Sequence, residues 1–343
     1  MEGKKLSKHI RNILKSLVFI LVGVILFWLV YRKTNFREVF NIIKHVRWSW
    51  IIFSMVLGLF SHIIRTLRWK LLIKPLGYNP RFSTLFYSVM IMYFTNLAIP
   101  RSGELIRCAT ASKYEKLPFS SLLGTVVTER IIDMLMMAFL LILVIVLQFK
   151  VFVKFLNANP QISDTLNNFA HLLPLLVGLG AISLIFLILA YVFRHKLRKN
   201  KLIDKLFEFT KEFWYGLKTV ASLDGKWLFL IYTFLIWLLY FLMIYVVFFA
   251  FDFTSHLNVI QGLVVFVLAS LGMVFPSPGG MGSWHFMAIE ALKLYGIKAE
   301  PWGRTFAFVA HESQLAMLII VGLFSIFALS LVKNKPNHKI SQQ

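Results

Sequence analysis

Ionisable side chains set inside apolar runs are the residues of this sequence best placed to do chemistry. Each costs about 2.5–3.5 kcal/mol to insert into a hydrocarbon layer and is rarely kept without a reason. Four groups stand out. Arg65 and Arg68, at the end of an apolar stretch and followed by Trp69, share one helical face. Two guanidinium groups there can hold a phosphate or can simply snorkel to an interface. The second group runs from Asn96 through Pro100, Arg101, Gly103 and Glu104 to Arg107. Pro100 and Gly103 break a helix, Glu104 can pair with Arg101 or Arg107, and freed backbone N–H groups suit an anion. A solvated charged loop is the plainer reading. Glu129, Arg130 and Asp133 form the third group, with the two carboxylates one turn apart. Arg130 can neutralise Asp133 in a structural ion pair, or the three can line a path for a headgroup or a proton. The fourth is Pro276-Ser-Pro-Gly279-Gly280-Met-Gly282-Ser-Trp-His285, followed by Glu290. Glycines let a ligand approach the backbone closely, and His285 is a residue type that titrates near neutrality. His311-Glu312 offers a further partner pair, although a satisfied structural histidine fits His311 equally well.

The sequence shows no nucleophile–base spacing, phosphate-loop signature or metal-ligand spacing of the His-Glu-x-x-His kind. It is therefore expected not to be an enzyme, and no cofactor is implied. Cys108 is the single cysteine, which excludes an internal disulfide and a cysteine metal site.

The elements that must position these groups are membrane helices. Of 343 residues, 58% are hydrophobic and 15% charged, well below the roughly 25% of a soluble domain. Mean hydropathy is +0.73. The net charge of +22 would suggest nucleic acid in a soluble chain. Here the basic residues fall between apolar runs, where they set orientation and attract anionic headgroups, so no nucleic-acid partner is expected.

Six stretches approach the roughly 20 apolar residues of a spanning helix: Leu14–Tyr31, Trp50–Thr66, Ser120–Gln148, Leu172–Phe193, Trp227–Phe251 and Thr305–Val332. The first is expected to be retained, because no small-residue cleavage site follows it. Ser83–Ile99 and Asn258–Phe275 are also apolar, but each runs into a Pro/Gly break. Treating both as spans would leave most Lys and Arg outside, including the nine at 194–226. Treating both as re-entrant hairpins places most of them inside, with the N- and C-termini, as cytoplasmic loops require. Eight spanning helices remain the alternative.

The expected fold is therefore an all-α polytopic membrane protein with about six spanning helices and two re-entrant, Pro/Gly-broken helix pairs. It reads as a single integral membrane domain over 1–343. An inverted half at 14–148 is followed by a second at 172–332. A basic amphipathic segment at 194–226, with Phe207, Phe209, Phe213 and Trp214 among its lysines, lies on the cytoplasmic leaflet. Matching broken segments in two halves point to a transporter's binding site.

Taken together, Arg65-x-x-Arg68-Trp69, Asn96-x-x-x-Pro100-Arg101-x-Gly103-Glu104-x-x-Arg107, Glu129-Arg130-x-x-Asp133 and Pro276-x-Pro278-Gly279-Gly280-x-Gly282 resemble the transmembrane region of the lysylphosphatidylglycerol synthase/flippase family. The resemblance extends over about residues 14 to 330. At His285 the sequence departs from the glutamate that follows the glycine motif in many relatives. In larger members this region is implied to move aminoacylated phospholipid between leaflets, while a separate soluble domain attaches the amino acid. That domain is not expected in this chain, so the resemblance implies translocation rather than synthesis.

The expected function is a lipid flippase or transporter of the cytoplasmic cell membrane. Its substrate would be a phosphate-bearing lipid: a phospholipid, an aminoacyl-phospholipid or a polyprenyl-phosphate-linked sugar. The expected binding residues are Arg65, Arg68, Asn96, Arg101, Gly103, Glu104, Arg107, Glu129, Arg130, Asp133, Gly279, Gly280, Gly282 and His285, with no metal ligand. Partners would be anionic membrane lipids and a synthase or glycosyltransferase. The alternative is a membrane-embedded enzyme or accessory subunit acting on polyprenyl phosphate or phospholipid.

Overall fold

Long apolar runs without internal proline fold as helices, because backbone groups in hydrocarbon must satisfy one another within the segment. The computed structural model describes residues 36–161 and 223–332, Pro276 excepted, with a few isolated positions elsewhere. Among the described residues it is all-helical. The helices are α1 Phe36–Lys44, α2 Trp48–Ile73, α3 Phe82–Ala98, α4 Gly103–Glu115, α5 Phe119–Leu147, α6 Phe149–Ala158, α7 Lys226–Phe248, α8 Val259–Gly272, α9 Ser283–Lys293 and α10 Arg304–Ser330.

Four of these, α2, α5, α7 and α10, are long and apolar enough to cross a membrane. At 1.5 Å per residue their 26, 29, 23 and 27 residues reach about 35–44 Å, more than the ~30 Å of a bilayer's hydrocarbon. Their outer faces carry exposed Met134, Leu135, Phe139 and Ile142 on α5, and Ile320, Leu323, Phe324 and Phe327 on α10. Such stripes suit lipid and would aggregate in water. The expected spans at Leu14–Tyr31 and Leu172–Phe193 and the amphipathic segment at 194–226 lie outside the described residues, isolated positions aside.

By contrast, α3 and α8 have 17 and 14 residues, about 26 and 21 Å. Each stops at its Pro/Gly break and doubles back, α3 packing on α4 and α8 on α9. The two ends of the first hairpin meet, because Arg81 Nε donates to Glu115 Oε1 at 2.7 Å. Each pair is thus a hairpin of two helices shorter than the four long spans.

The second half runs against the first. Helices α2 and α7 form the most extensive contact of the fold and are antiparallel. Ser54 donates to the Met243 carbonyl at 2.7 Å near one end, and Arg68 reaches Thr233 Oγ1 at 3.2 Å near the other. The first hairpin follows the C-terminal end of α2 and the second follows the C-terminal end of α7, so they enter from opposite faces. The packing is exchanged to match: α3 lies on α10 of the second half, and α8 lies on α5 of the first. Among the described residues, the order of elements in the second half thus repeats that of the first in the opposite sense.

Observed boundaries differ in one place that matters. The span expected at Trp50–Thr66 continues to Ile73, so Arg65 and Arg68 lie within α2 rather than at its end. In addition, α8 ends at Gly272, three residues before the expected limit of its apolar run. A Cβ on Gly272 would lie 2.6 Å from the Ser283 carbonyl oxygen, so the α8/α9 crossing requires glycine there.

Candidate functional site

The two breaks meet. Arg101, itself in a left-handed conformation at φ 63°, donates from Nη2 to the Val274 carbonyl at 2.8 Å. Leu97 lies against Gly279, where an added Cβ would stand 3.0 Å from its Cδ2. The first break is shaped by Asn96, whose Oδ1 accepts from the Gly103 N–H at 2.8 Å. A Cβ at Gly103 would overlap the Met92 carbonyl, which explains the glycine. In the second break Gly279, Gly280 and Gly282 all have positive φ, a region that side chains disfavour.

On one side of this junction lies a buried ionic cluster drawn from α2, α4 and α5. Arg68 Nη1 donates to Asp133 Oδ1 at 2.8 Å, and Arg65 Nη1 to Asp133 Oδ2 at 3.1 Å. Glu129 lies 2.8 Å from Arg107 Nη2 and 3.4 Å from Arg68 Nε. Arg68, Arg107 and Glu129 are wholly buried. The Arg107 guanidinium stacks 3.7 Å from the centre of the Trp69 ring, and Trp69 is in turn held by Nε1–H donation to Thr125 at 2.9 Å. Arg65 also donates to Tyr240 on α7, whose hydroxyl is 3.1 Å from that of Tyr93 on α3. At the half-open edge, Arg130 approaches Glu104 to 3.7 Å and Asp133 to 3.9 Å.

Several expected pairings are corrected by this arrangement. Glu104 pairs with Arg130 rather than with Arg101 or Arg107, because Arg107 is turned into the α2/α5 interface toward Glu129. Asp133 is neutralised mainly across helices by Arg65 and Arg68, and its contact with Arg130 on the same helix is the longest of the three. Arg65 and Arg68 do not snorkel. They point into the protein. In total, four guanidinium groups face three carboxylates.

On the other side of the junction lies a smaller polar group. His285 in α9 and His311 in α10 have ring centres 4.5 Å apart, and Glu312 approaches both. Its Oε1 is 3.5 Å from His285 Nε2 and 3.4 Å from His311 Nδ1. The remaining ring nitrogens hold the glycine-rich break: His311 Nε2 lies 2.9 Å from the Gly279 carbonyl, and the Gly282 N–H donates to His285 Nδ1 at 3.2 Å. The two polar groups occupy equivalent places in the halves. Arg107–Glu129 joins the helix after the first break to the next long helix, and His285–Glu312 does the same after the second.

The three ligand-type atoms of His285, His311 and Glu312 lie within 4.8 Å of one another, close enough to surround a cation. The hydrogen bonding argues otherwise. A metal at His285 Nε2 would require a proton on Nδ1, and Nδ1 faces an N–H donor.

Reading the sequence did not identify Tyr240, Tyr93 and Thr233 as part of the first cluster. A polar tip in an otherwise apolar span was the signal that each carried. A polar chain from Gln314 Nε2 to Ser54 Oγ to the Met243 carbonyl, tying α10 to α2 and α7, was likewise unmarked.

The family described as the lysylphosphatidylglycerol synthase TM region matches residues 13–322. A UPF0104 membrane protein of Methanocaldococcus jannaschii is 26% identical over 137 residues, which are 39% of this chain. The match covers 41% of that relative's length. No solved structure matches.

Proposed function

Since this chain belongs to the family of the lysylphosphatidylglycerol synthase transmembrane region, a family of multi-pass membrane proteins, we propose that it moves a phosphate-bearing lipid between leaflets of the cell membrane. The observation that carries this reading is the charge excess at the first break. Four guanidinium groups against three carboxylates leave one positive charge unmatched among the described residues, in a setting where unmatched charge is expensive. A lipid phosphate supplies the missing anion while its acyl chains stay in the bilayer. Arg101 and Arg130, the more accessible cations, meet the headgroup first. The wholly buried Arg68, Arg107 and Glu129 are reached only when the halves separate.

Two hairpins entering from opposite faces and touching at their breaks suit alternating access, in which one half rocks against the other around a central site. Phospholipids, aminoacyl-phospholipids and polyprenyl-phosphate-linked sugars share the chemistry that this cluster would recognise. In this reading the chain is a carrier without catalysis, has cytoplasmic termini and serves a partner synthase or glycosyltransferase that makes or consumes the lipid.

Leaflet exchange of labelled phospholipid in vesicles containing the purified protein tests this. Exchange should be accelerated by the wild type and lost or strongly reduced in Arg101→Ala. A folded protein that accelerates exchange of no phosphate-bearing lipid would contradict it.

A further inference from the structure

The backbone contacts of the second break fix where the ring protons of its two histidines lie. The Gly282 N–H occupies the lone pair of His285 Nδ1, so the ring proton of His285 sits on Nε2, 3.5 Å from Glu312 Oε1. The Gly279 carbonyl accepts from His311 Nε2, so the ring proton of a neutral His311 is committed there. His311 Nδ1 then faces Glu312 Oε1, 3.4 Å away, with a lone pair against a carboxylate oxygen. Two neutral imidazoles and one carboxylate are therefore one proton short of satisfying their own contacts. A divalent cation does not fill the gap, because His285 Nε2 carries hydrogen and only His311 and Glu312 would remain to bind it.

We propose that His285, His311 and Glu312 form a proton-binding site that clamps the glycine-rich break, and that release of this proton frees the second hairpin to move during lipid translocation. With the proton in place between His311 Nδ1 and Glu312 Oε1, all three side chains hold the break. His311 holds Gly279, His285 holds Gly282, and Glu312 joins the two rings. When the proton leaves to water, the contact between His311 and Glu312 becomes repulsive and the hold on the Gly279 carbonyl loosens. Gly279 packs on Leu97 of α3, and Val274 accepts from Arg101, so movement here is transmitted to the first break.

Glu312 interacts electrostatically with both His285 and His311, and among the described residues the other charges on the elements packed against this group lie or pair elsewhere. Helices α3 and α8 carry no charged side chain. Glu290 and Lys293 of α9 pair with each other, and Arg304 of α10 pairs with Glu300. Arg101 is bound to Val274. The cations of α2, Arg65 and Arg68, belong to the cluster with Asp133, and His62 packs on Tyr93. Lys44, Arg37 and Glu38 lie on α1.

The proton site stands on hydrogen-bond geometry. Its use in translocation rests on the function proposed above, and the two are tested separately. Nitrogen-15 NMR of histidine-labelled protein in lipid nanodiscs, with His311 assigned by comparison with His311→Asn, reads the proton directly. At pH 7 the wild type should show a proton on His311 Nδ1 or shared with Glu312, and Glu312→Gln should show it lost. A bare His311 Nδ1 in the wild type, or one zinc ion per chain surviving chelation, would overturn the proposal. In the vesicle assay, a pH gradient should change wild-type exchange several-fold, with that response lost in His311→Asn. Gradient-independent exchange alongside a protonated site would overturn the coupling. Absence of any exchange would overturn the transport reading, and the NMR result would still decide whether the proton is there.

Discussion

Replacing Glu129 by glutamine removes the carboxylate that two guanidinium groups share. Arg68 keeps Asp133 at 2.8 Å, but Arg107 is left with the Trp69 ring alone, wholly buried. Breaking a buried ion pair by deleting one partner costs about 3–5 kcal/mol, because the other charge remains desolvated. At 1.36 kcal/mol per decade this is a fall of about two to four decades in the ratio of folded to unfolded protein. Removing the partner as well, as in Glu129→Gln with Arg107→Met, takes away the stranded charge. The double variant should then be less destabilised than the sum of the two single changes by about 1–3 kcal/mol. Denaturant unfolding in detergent, followed by tryptophan fluorescence, measures both quantities. Single changes costing under about 0.5 kcal/mol, or losses that simply add, would refute a mutually dependent buried pair.

Other consequences are equally open to measurement. Gly272→Ala should cost about 1–3 kcal/mol, because the Ser283 backbone cannot yield to a new Cβ, whereas Gly225→Ala, whose Cβ would meet only Leu228 Cβ at an ordinary 3.9 Å, should stay within about 0.5 kcal/mol. Thermal unfolding of the two variants side by side checks this. Asn96→Ala removes the acceptor of the Gly103 N–H and should cost about 1 kcal/mol, seen as faster amide exchange at the first break. In a Cys108→Ser background, Lys113→Cys and Lys293→Cys should react with a membrane-impermeant maleimide from opposite sides, since the hairpins enter from opposite faces. Labelling of both from one side would contradict the inverted arrangement.

Much of the architecture could be read from residue order, because it depends on local rules. Apolar runs that end at Pro100 with Gly103 and at Pro276 through Gly282 could span or turn back, and the distribution of Lys and Arg favours hairpins. The charged residues of the candidate cluster stood out for the same reason, since charge inside an apolar run is conspicuous. Their pairing was not. Which carboxylate Arg107 meets depends on how α4 rotates against α5, and sequence proximity favoured Glu104 over Glu129, which lies on another helix. Gly272 carried no mark either, because its requirement comes from the Ser283 backbone across the α8/α9 crossing. The histidine group was visible as His285 and as a candidate His311–Glu312 pair, but their convergence on Gly279 and Gly282 required the folded second hairpin.

The most direct test of the central claim asks whether phosphate itself is what the excess positive charge at the first break receives. Vesicles containing the purified protein would carry a labelled phosphatidylglycerol in one preparation and an equally labelled neutral glycosyl diacylglycerol in another, with leaflet exchange timed in both. The account predicts acceleration of the phosphate-bearing lipid well above protein-free vesicles and little or none for the neutral glycolipid. Equal acceleration of the two lipids, or none for the phosphate-bearing one, would contradict it.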